Sequence, residues 1–156
     1  MRIASLGSGS KGNATLVDTG ETLLLIDCGL PRKEAEERLA LRGVAAADLD
    51  AILVTHEHSD HCRGVVPLAK AYSLPVFLSA GTASSRKLEG LRHSVVIRPG
   101  DHFAIGDCQI AAEPVPHDAR EPVQFCLEAG DCKLGILTDL GSVLLSNHIA
   151  FGFIKI

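Results

Sequence analysis

The stretch A-I-L-V-T-H-E-H-S-D-H, residues 51–61, decides the fold. Its first half is an apolar run, which predicts a short buried strand ending at Thr55. Four potential metal ligands follow within six positions: His56, His58, Asp60 and His61. Alternate side chains of an extended backbone point to one side, so His56 and His58 can share one cation. We expect Asp60 and His61 to face a second cation, because the chain turns into a helix there.

Imidazole and carboxylate ligands suit Zn²⁺ best here, and they also suit Mn²⁺ or Fe²⁺. The alternative is a polar loop with solvated histidines, but this density of ligands after an apolar strand has little structural purpose. Two later residues, His117 and Asp139, each follow a predicted strand. Either one alone would be an ordinary loop residue. Because they accompany the cluster at 56–61, we interpret both as further metal ligands.

The rest of the chain alternates short strands, hairpins and helices, which indicates a mixed α+β fold rather than a doubly wound sheet. A helix is predicted over 33–41, and Ser59 is a candidate N-cap for a second helix that runs to about Tyr72. Residues 82–91 can form another helix. Turns at 106–107 and 130–131 predict hairpins.

The N-terminal stretch S-L-G-S-G-S-K-G-N-A-T-L-V, residues 5–17, has the G-x-G-x-x-G spacing of a dinucleotide-binding loop, with Asp27 about 20 residues later. No helix begins at the third glycine, as that fingerprint requires. The glycines therefore predict a tight connection between two strands. The polar residues of this loop are candidates for contacting a substrate phosphate at the rim of the metal cleft: Ser8, Ser10, Lys11 and Asn13.

Several motifs together resemble the metallo-β-lactamase superfamily, and within it the YycJ (WalJ)-like metallo-hydrolases. They are S-G-S-K-G-N-A (8–14), I-D-C-G-L (26–30), I-L-V-T-H-E-H-S-D-H (52–61), H-D-A-R-E-P (117–122) and T-D-L-G (138–141). The resemblance covers residues 1 to about 143. It implies the N-terminal portion of an αββα sandwich with mostly antiparallel and mixed sheets.

The resemblance also implies a site for two divalent metal ions. His56, His58 and His117 would hold one ion, and Asp60, His61 and Asp139 the other. Asp60 would also orient the attacking hydroxide, which makes it the catalytic residue. Asp27 would stand behind the ligands and order their loop, although a capping or turn role is the alternative.

Beyond residue 143 the sequence departs from the family pattern. We therefore expect an incomplete domain over 1–143 and a divergent apolar tail over 144–156. Family members continue further and supply another histidine to the second metal, so the second site is expected to be incomplete; His148 is a weak substitute. A sheet face normally covered by the missing part would be exposed and apolar, which favours self-association.

The composition argues against several classes of protein. The net charge is −4 and there is no Trp, which argues against a protein that coats nucleic acid. The five cysteines include no C-x-x-C pair, and we interpret them as reduced thiols of a cytoplasmic protein. Cys62, beside the ligands, is expected to be a buried helix residue. No apolar run is long enough to cross a membrane.

Three functions follow from the resemblance. The first is a metal-dependent hydrolase using a metal-bound hydroxide on phosphodiesters, with DNA as the substrate of an exonuclease. The second is a hydrolase of a small ester, lactone or thioester. The third is a truncated metal-binding protein with little or no activity.

Overall fold

The computed structural model describes residues 1–138 and the backbone of residues 152–155. A six-stranded sheet has its strands in sequence order from edge to edge. Its strands are β1 (Arg2–Gly7), β2 (Ala14–Asp18), β3 (Leu23–Ile26), β4 (Ala51–Leu53), β5 (Val76–Ser79) and β6 (Ser94–Ile97). The first three are antiparallel, whereas β3 to β6 run parallel. The sheet is therefore mixed.

A second sheet has the strand order β11-β10-β9-β8-β7. Its strands are β7 (His102–Ile105), β8 (Cys108–Pro114), β9 (Val123–Ala129), β10 (Cys132–Leu137) and β11 (Gly152–Lys155). The first four form antiparallel pairs, and both predicted hairpins are present. Strand β11 lies in the segment expected to be a divergent tail, and it pairs in parallel with β10.

Helices cover one face of the first sheet and the second sheet covers the other. The α-helices are α1 (Arg32–Ala40), α2 (Ser59–Cys62), α3 (Val65–Tyr72) and α4 (Ala80–Ala83), and short 3₁₀ turns occupy Ala46–Asp48 and Arg86–Leu88. Leu25 and Ile52 pack toward α1 and α3, while Leu24 and Leu53 pack against Phe125 of the second sheet. Strands β3 and β4 are therefore apolar at consecutive positions, because both of their faces are buried.

Two helix predictions need correction. The helix expected from Ser59 to about Tyr72 is interrupted at Gly64, whose N–H donates to the Cys28 carbonyl at 2.7 Å. A side chain at Gly64 would lie 2.0 Å from the Leu30 carbonyl oxygen, so the close approach of this loop breaks the helix. Ser59 is the first helical residue and not the cap, which is His58. The helix expected over 82–91 is reduced to α4 and a 3₁₀ turn.

The glycine-rich loop connects antiparallel strands β1 and β2, as predicted. Gly9 and Gly12 have φ of +91° and +146°, and the Gly12 N–H donates to the Gly9 carbonyl at 3.0 Å. Strand β2 follows where a dinucleotide-binding loop would begin a helix. The nucleotide-binding interpretation is therefore excluded.

The outer face of the second sheet differs from the apolar surface that we expected. In strands β8 to β10 most residues that alternate with the buried core positions are polar or small: Gln109, Ala111, Glu113, Gln124, Cys126, Glu128 and Lys133. Partly buried Leu137, at the end of β10, is a large apolar exception. Large apolar residues that are exposed in the described part lie elsewhere, at Ile3, Leu41, Val95 and Val96. The predicted self-association stays a prediction.

Asp139, His148 and the predicted domain boundary at residue 143 lie outside the described residues. Among the helices that the structure describes, none has the length and apolarity needed to cross a membrane.

Replacement of Gly29 tests the contact between the β3 loop and α2. A Cβ at Gly29 would lie 1.7 Å from the Asp60 carbonyl oxygen. We expect Gly29→Ala to lower the free energy of unfolding by about 3 kcal/mol, because backbone must move. Gly20 has open space around it, so a side chain there meets no other atom. Gly20→Ala should lower the free energy of unfolding by only about 1 kcal/mol, because an alanine is strained at positive φ. Equal losses in urea unfolding would refute the close approach.

Candidate metal centre

Three histidines from two separate segments converge on one point. His56 and His58 follow β4, and His117 lies in the loop between β8 and β9. One ring nitrogen from each lies within 4.8 Å of the others. His117 Nε2 is 3.3 Å from His58 Nδ1, and the rings of His56 and His117 are 4.7 Å apart between centroids. Three imidazole nitrogens at this spacing form a donor set that suits Zn²⁺.

The buried carboxylate of Asp27 organises this centre from behind. It lies at the end of β3 with φ of +58° and 1% exposure. Its Oδ1 accepts from the Thr55 N–H at 2.8 Å, and its Oδ2 accepts from Thr55 Oγ1 at 2.7 Å and from His61 Nδ1 at 2.8 Å. Asp27 therefore fixes the backbone and the side chains of the ligand segment together.

This network also sets the tautomers of two histidines. Thr55 Oγ1 donates its hydrogen to Asp27, so its oxygen accepts from His56 Nδ1 at 3.0 Å. His61 Nδ1 likewise carries the hydrogen that Asp27 accepts. In both rings Nε2 is then the nitrogen with the lone pair, which is the form that a metal ligand requires.

Burial lowers the pKa of His56 to about 4, and the neighbouring His61 lowers it further by charge repulsion. The ring is therefore neutral near pH 7 and offers a lone pair to a cation. Burial raises the pKa of the Cys62 thiol to about 11, and that of Cys28 to about 12. Both thiols are protonated near neutral pH and are poor nucleophiles. Cys62 is a buried helix residue that donates to the Glu57 carbonyl at 3.3 Å, as expected.

Asp60 and His61 form the second predicted ligand pair. Asp60 Oδ2 lies 3.6 Å from His61 Nε2, and the Asp60 side chain is 32% exposed. The rings of His56 and His61 are 4.1 Å apart between centroids, so the two ligand pairs adjoin each other. Strand β10 ends at Leu137, beside the start of β9. Asp139 lies just beyond, outside the described residues, and its role stays a prediction.

The loop that carries His117 is tied to its neighbours by carboxylates. Glu57 Oε1 accepts from the Arg120 N–H at 3.0 Å. Glu121 Oε2 accepts from the Gly81 N–H at 2.7 Å, and the Glu121 carbonyl accepts from Ser79 Oγ at 2.6 Å. The loop is therefore fixed to the ligand segment on one side and to the start of α4 on the other.

Sequence reasoning missed Glu57 and Glu121. Strand alternation could have indicated Glu57, since the residue between two ligands on one side must point to the other. Glu121 left no comparable signal, because its partner is the backbone of α4, 40 positions earlier.

The glycine-loop residues divide into two groups. Ser8, Ser10 and Lys11 are exposed, so their predicted contact with substrate remains open. Asn13 is 6% exposed and bonds to Asp60 and His61. Asn13 is therefore buried against two of the proposed ligands, unlike its exposed neighbours, and its predicted contact with a substrate phosphate stays a prediction.

Asp27→Asn tests the organising role of this carboxylate. An amide keeps the size but has only one acceptor oxygen, so it faces at least one N–H or O–H without an acceptor. We expect the free energy of unfolding, measured in urea, to fall by about 2 kcal/mol. Zinc affinity should fall roughly 10- to 100-fold.

The matched control is Asp107→Asn, since Asp107 accepts from Thr19 Oγ1 and Thr22 Oγ1 at 2.7 and 2.6 Å in a surface turn. It should leave zinc affinity unchanged. An Asp27→Asn chain with wild-type zinc affinity would contradict the organising role.

Residues 7–149 match the family model of the metallo-beta-lactamase superfamily. The exodeoxyribonuclease YycJ of Bacillus anthracis is 36% identical over 92% of this chain and 56% of that protein. The exodeoxyribonuclease WalJ of Streptococcus pneumoniae is 36% identical over 88% of this chain and 54% of that protein. A ribonuclease Z of Methanopyrus kandleri is 35% identical over 65% of this chain and 39% of that protein. The chain thus spans about half the length of these two exodeoxyribonucleases.

Solved structures share the fold. The Rm3 metallo-beta-lactamase superposes with a TM-score of 0.75 at 19% identity, over 94% of this chain and 62% of that one. A B3 metallo-beta-lactamase with an active-site glutamic acid gives a TM-score of 0.73 at 20% identity, over 88% of this chain and 59% of that one. The two-sheet fold, the family match and the histidine cluster agree, and the chain belongs to the metallo-β-lactamase superfamily.

Proposed function

We propose that this chain carries the metal centre of a hydrolase that cleaves phosphodiester bonds in DNA. The observation that carries the proposal is the convergence of His56, His58 and His117, in a chain 36% identical to two exodeoxyribonucleases. These three residues would hold one divalent cation, with Zn²⁺ favoured by the imidazole donors and Mn²⁺ or Fe²⁺ as alternatives. Asp60, His61 and Asp139 would hold a second cation.

A bound divalent cation supplies Lewis acidity toward the attacked group and lowers the pKa of a water molecule. Asp60 is the half-buried carboxylate of the centre, and we assign it the orientation of the attacking water through a hydrogen bond. Asp27 keeps His61 in the tautomer that leaves Nε2 available. Protonated, buried Cys62 is not the nucleophile.

Cationic side chains near the ligands support an anionic substrate. Lys87 Nζ donates to the carbonyl of Glu57 at 3.2 Å, and Glu57 lies between His56 and His58 in the sequence. Lys11 is exposed two residues before Asn13, and Arg120, in the His117 loop, directs its guanidinium to the Ser84 carbonyl and hydroxyl at 3.2 and 2.7 Å. These local charges stand in a chain of net charge −4, so they would concentrate attraction for phosphate at the cleft. All five cysteines are free, which supports a cytoplasmic location.

The direct test is hydrolysis of double-stranded DNA ends in Zn²⁺ and in Mn²⁺, beside a panel of small esters, lactones and thioesters. We expect DNA cleavage that His58→Ala and Asp60→Ala each reduce by about 10²-fold or more. His93→Ala is the control, since His93 is exposed and outside the cluster. Turnover of the small esters alone would favour the second function, and metal binding without any hydrolysis would favour the third.

Lys11→Ala tests whether the glycine loop faces the substrate. Loss of one phosphate contact should weaken DNA binding and reduce its salt dependence, while a small neutral ester should be hydrolysed as before. Glu21→Ala, on the exposed turn after β2, is a control for changes in surface charge. Equal effects of Lys11→Ala on both substrate classes would dismiss the contact.

A further inference from the structure

Asn13 makes contacts that a residue of the glycine loop would not need for the turn alone. Its Nδ2 lies 2.9 Å from His61 Nε2, 3.2 Å from Asp60 Oδ2 and 3.3 Å from the Asp60 carbonyl oxygen. Its Oδ1 accepts from the Gly9 N–H at 2.8 Å. The same amide nitrogen therefore contacts the atom with which Asp60 and the atom with which His61 would bind a metal ion.

The orientation of this amide follows from its neighbours. The Gly9 N–H requires an oxygen beside it, and the Asp60 Oδ2 carboxylate oxygen requires a hydrogen-bond donor. Turning the amide over would place N–H against N–H and oxygen against oxygen. The NH₂ group therefore faces Asp60 and His61, and Asn13 cannot bind a cation through its oxygen in this arrangement.

His61 can only accept at this point. Its Nδ1 hydrogen is donated to Asp27, so Nε2 presents a lone pair toward Asn13. Asp60 Oδ2 is also an acceptor. The two hydrogens of one buried NH₂ group thus lie between two atoms that would both bind a cation. His61 is fully buried, so a hydrogen bond donated to its Nε2 stabilises the folded chain.

We propose that the Asn13 amide is a built-in substitute for the second metal ion. It satisfies Asp60 Oδ2 and His61 Nε2 and holds them in place when the cation is absent. A cation that binds this pair must displace the amide, so Asn13 lowers the affinity of the second site relative to the first. This inference rests on the proposed roles of Asp60 and His61 as metal ligands.

Asn13→Asp separates this role from a structural role in the loop. The carboxylate keeps the size and the acceptor for the Gly9 N–H, but an oxygen replaces the NH₂ group. Without metal, that oxygen repels Asp60; with metal, it adds a negative ligand. We expect the second Zn²⁺ to bind about tenfold more tightly or better, with the first dissociation constant unchanged and a lower melting temperature in chelator.

The measurement is stepwise Zn²⁺ titration of the metal-free chains by calorimetry, with native mass spectrometry to count ions per chain. Gln109→Glu is the matched control, because it makes the same change from amide to carboxylate at an exposed position of β8, away from the ligands. Stronger second binding in Asn13→Asp alone supports the proposal. Unchanged or weaker second binding in that variant overturns it. A wild-type chain that binds no divalent cation overturns the proposed function and this inference together.

A second measurement avoids dependence on the stability of the variant. Selective ¹⁵N labelling of asparagine gives two side-chain NH₂ signals in the wild-type chain, and Asn147→Asp identifies which belongs to Asn13. We expect the Asn13 signal to hold nearly still through the first equivalent of Zn²⁺ and to shift with the second. A large shift with the first equivalent, or none with either, contradicts displacement by the second ion.

Discussion

The hydrogen bonds accepted by one buried carboxylate, Asp27, support the rest of the metal centre. A charged group that is 1% exposed is tolerated only where donors surround it, and Thr55 and His61 supply three. The same residue joins the two central strands, since its N–H donates to the Leu53 carbonyl at 2.8 Å. The position of the ligand segment and the chemical state of two histidines are thus fixed by one side chain.

The centre is assembled across the interface of the two sheets. The His56 and His58 segment follows a strand of the first sheet, and His117 precedes β9 of the second. The Val123 N–H donates to the Thr55 carbonyl at 3.0 Å, which ties the sheets together directly behind the ligands. Packing between the sheets, with Phe125 fully buried, therefore holds the three imidazoles in register.

Much of this arrangement could be predicted from the sequence, because it depends on local patterns. The apolar run before His56, the alternation of His56 and His58, and the absence of a helix after Gly12 all reflect short-range rules of strand geometry. Asp27 was placed behind the ligands through resemblance to the family, and its contacts fit that role.

The features that could not be predicted depend on contacts between residues that are distant in sequence. Gly64 interrupts a helix because the Leu30 backbone passes 2.0 Å from where its side chain would lie, and no pattern around Gly64 reports that. Asn13 was grouped with Ser8, Ser10 and Lys11 as a polar residue of one loop, and no local pattern indicates that it alone is buried. Its burial comes from Asp60, 47 positions away, whose carbonyl accepts from the Asn13 N–H at 2.7 Å.

The central claim is that three imidazoles, and none of the five cysteines, hold the first metal ion. Zinc K-edge X-ray absorption of the chain loaded with one equivalent tests it directly. The account predicts nitrogen or oxygen ligands at about 2.0–2.1 Å, with the multiple-scattering pattern of imidazole, and no sulfur. A sulfur shell at about 2.3 Å, or a spectrum without imidazole scattering, would contradict it.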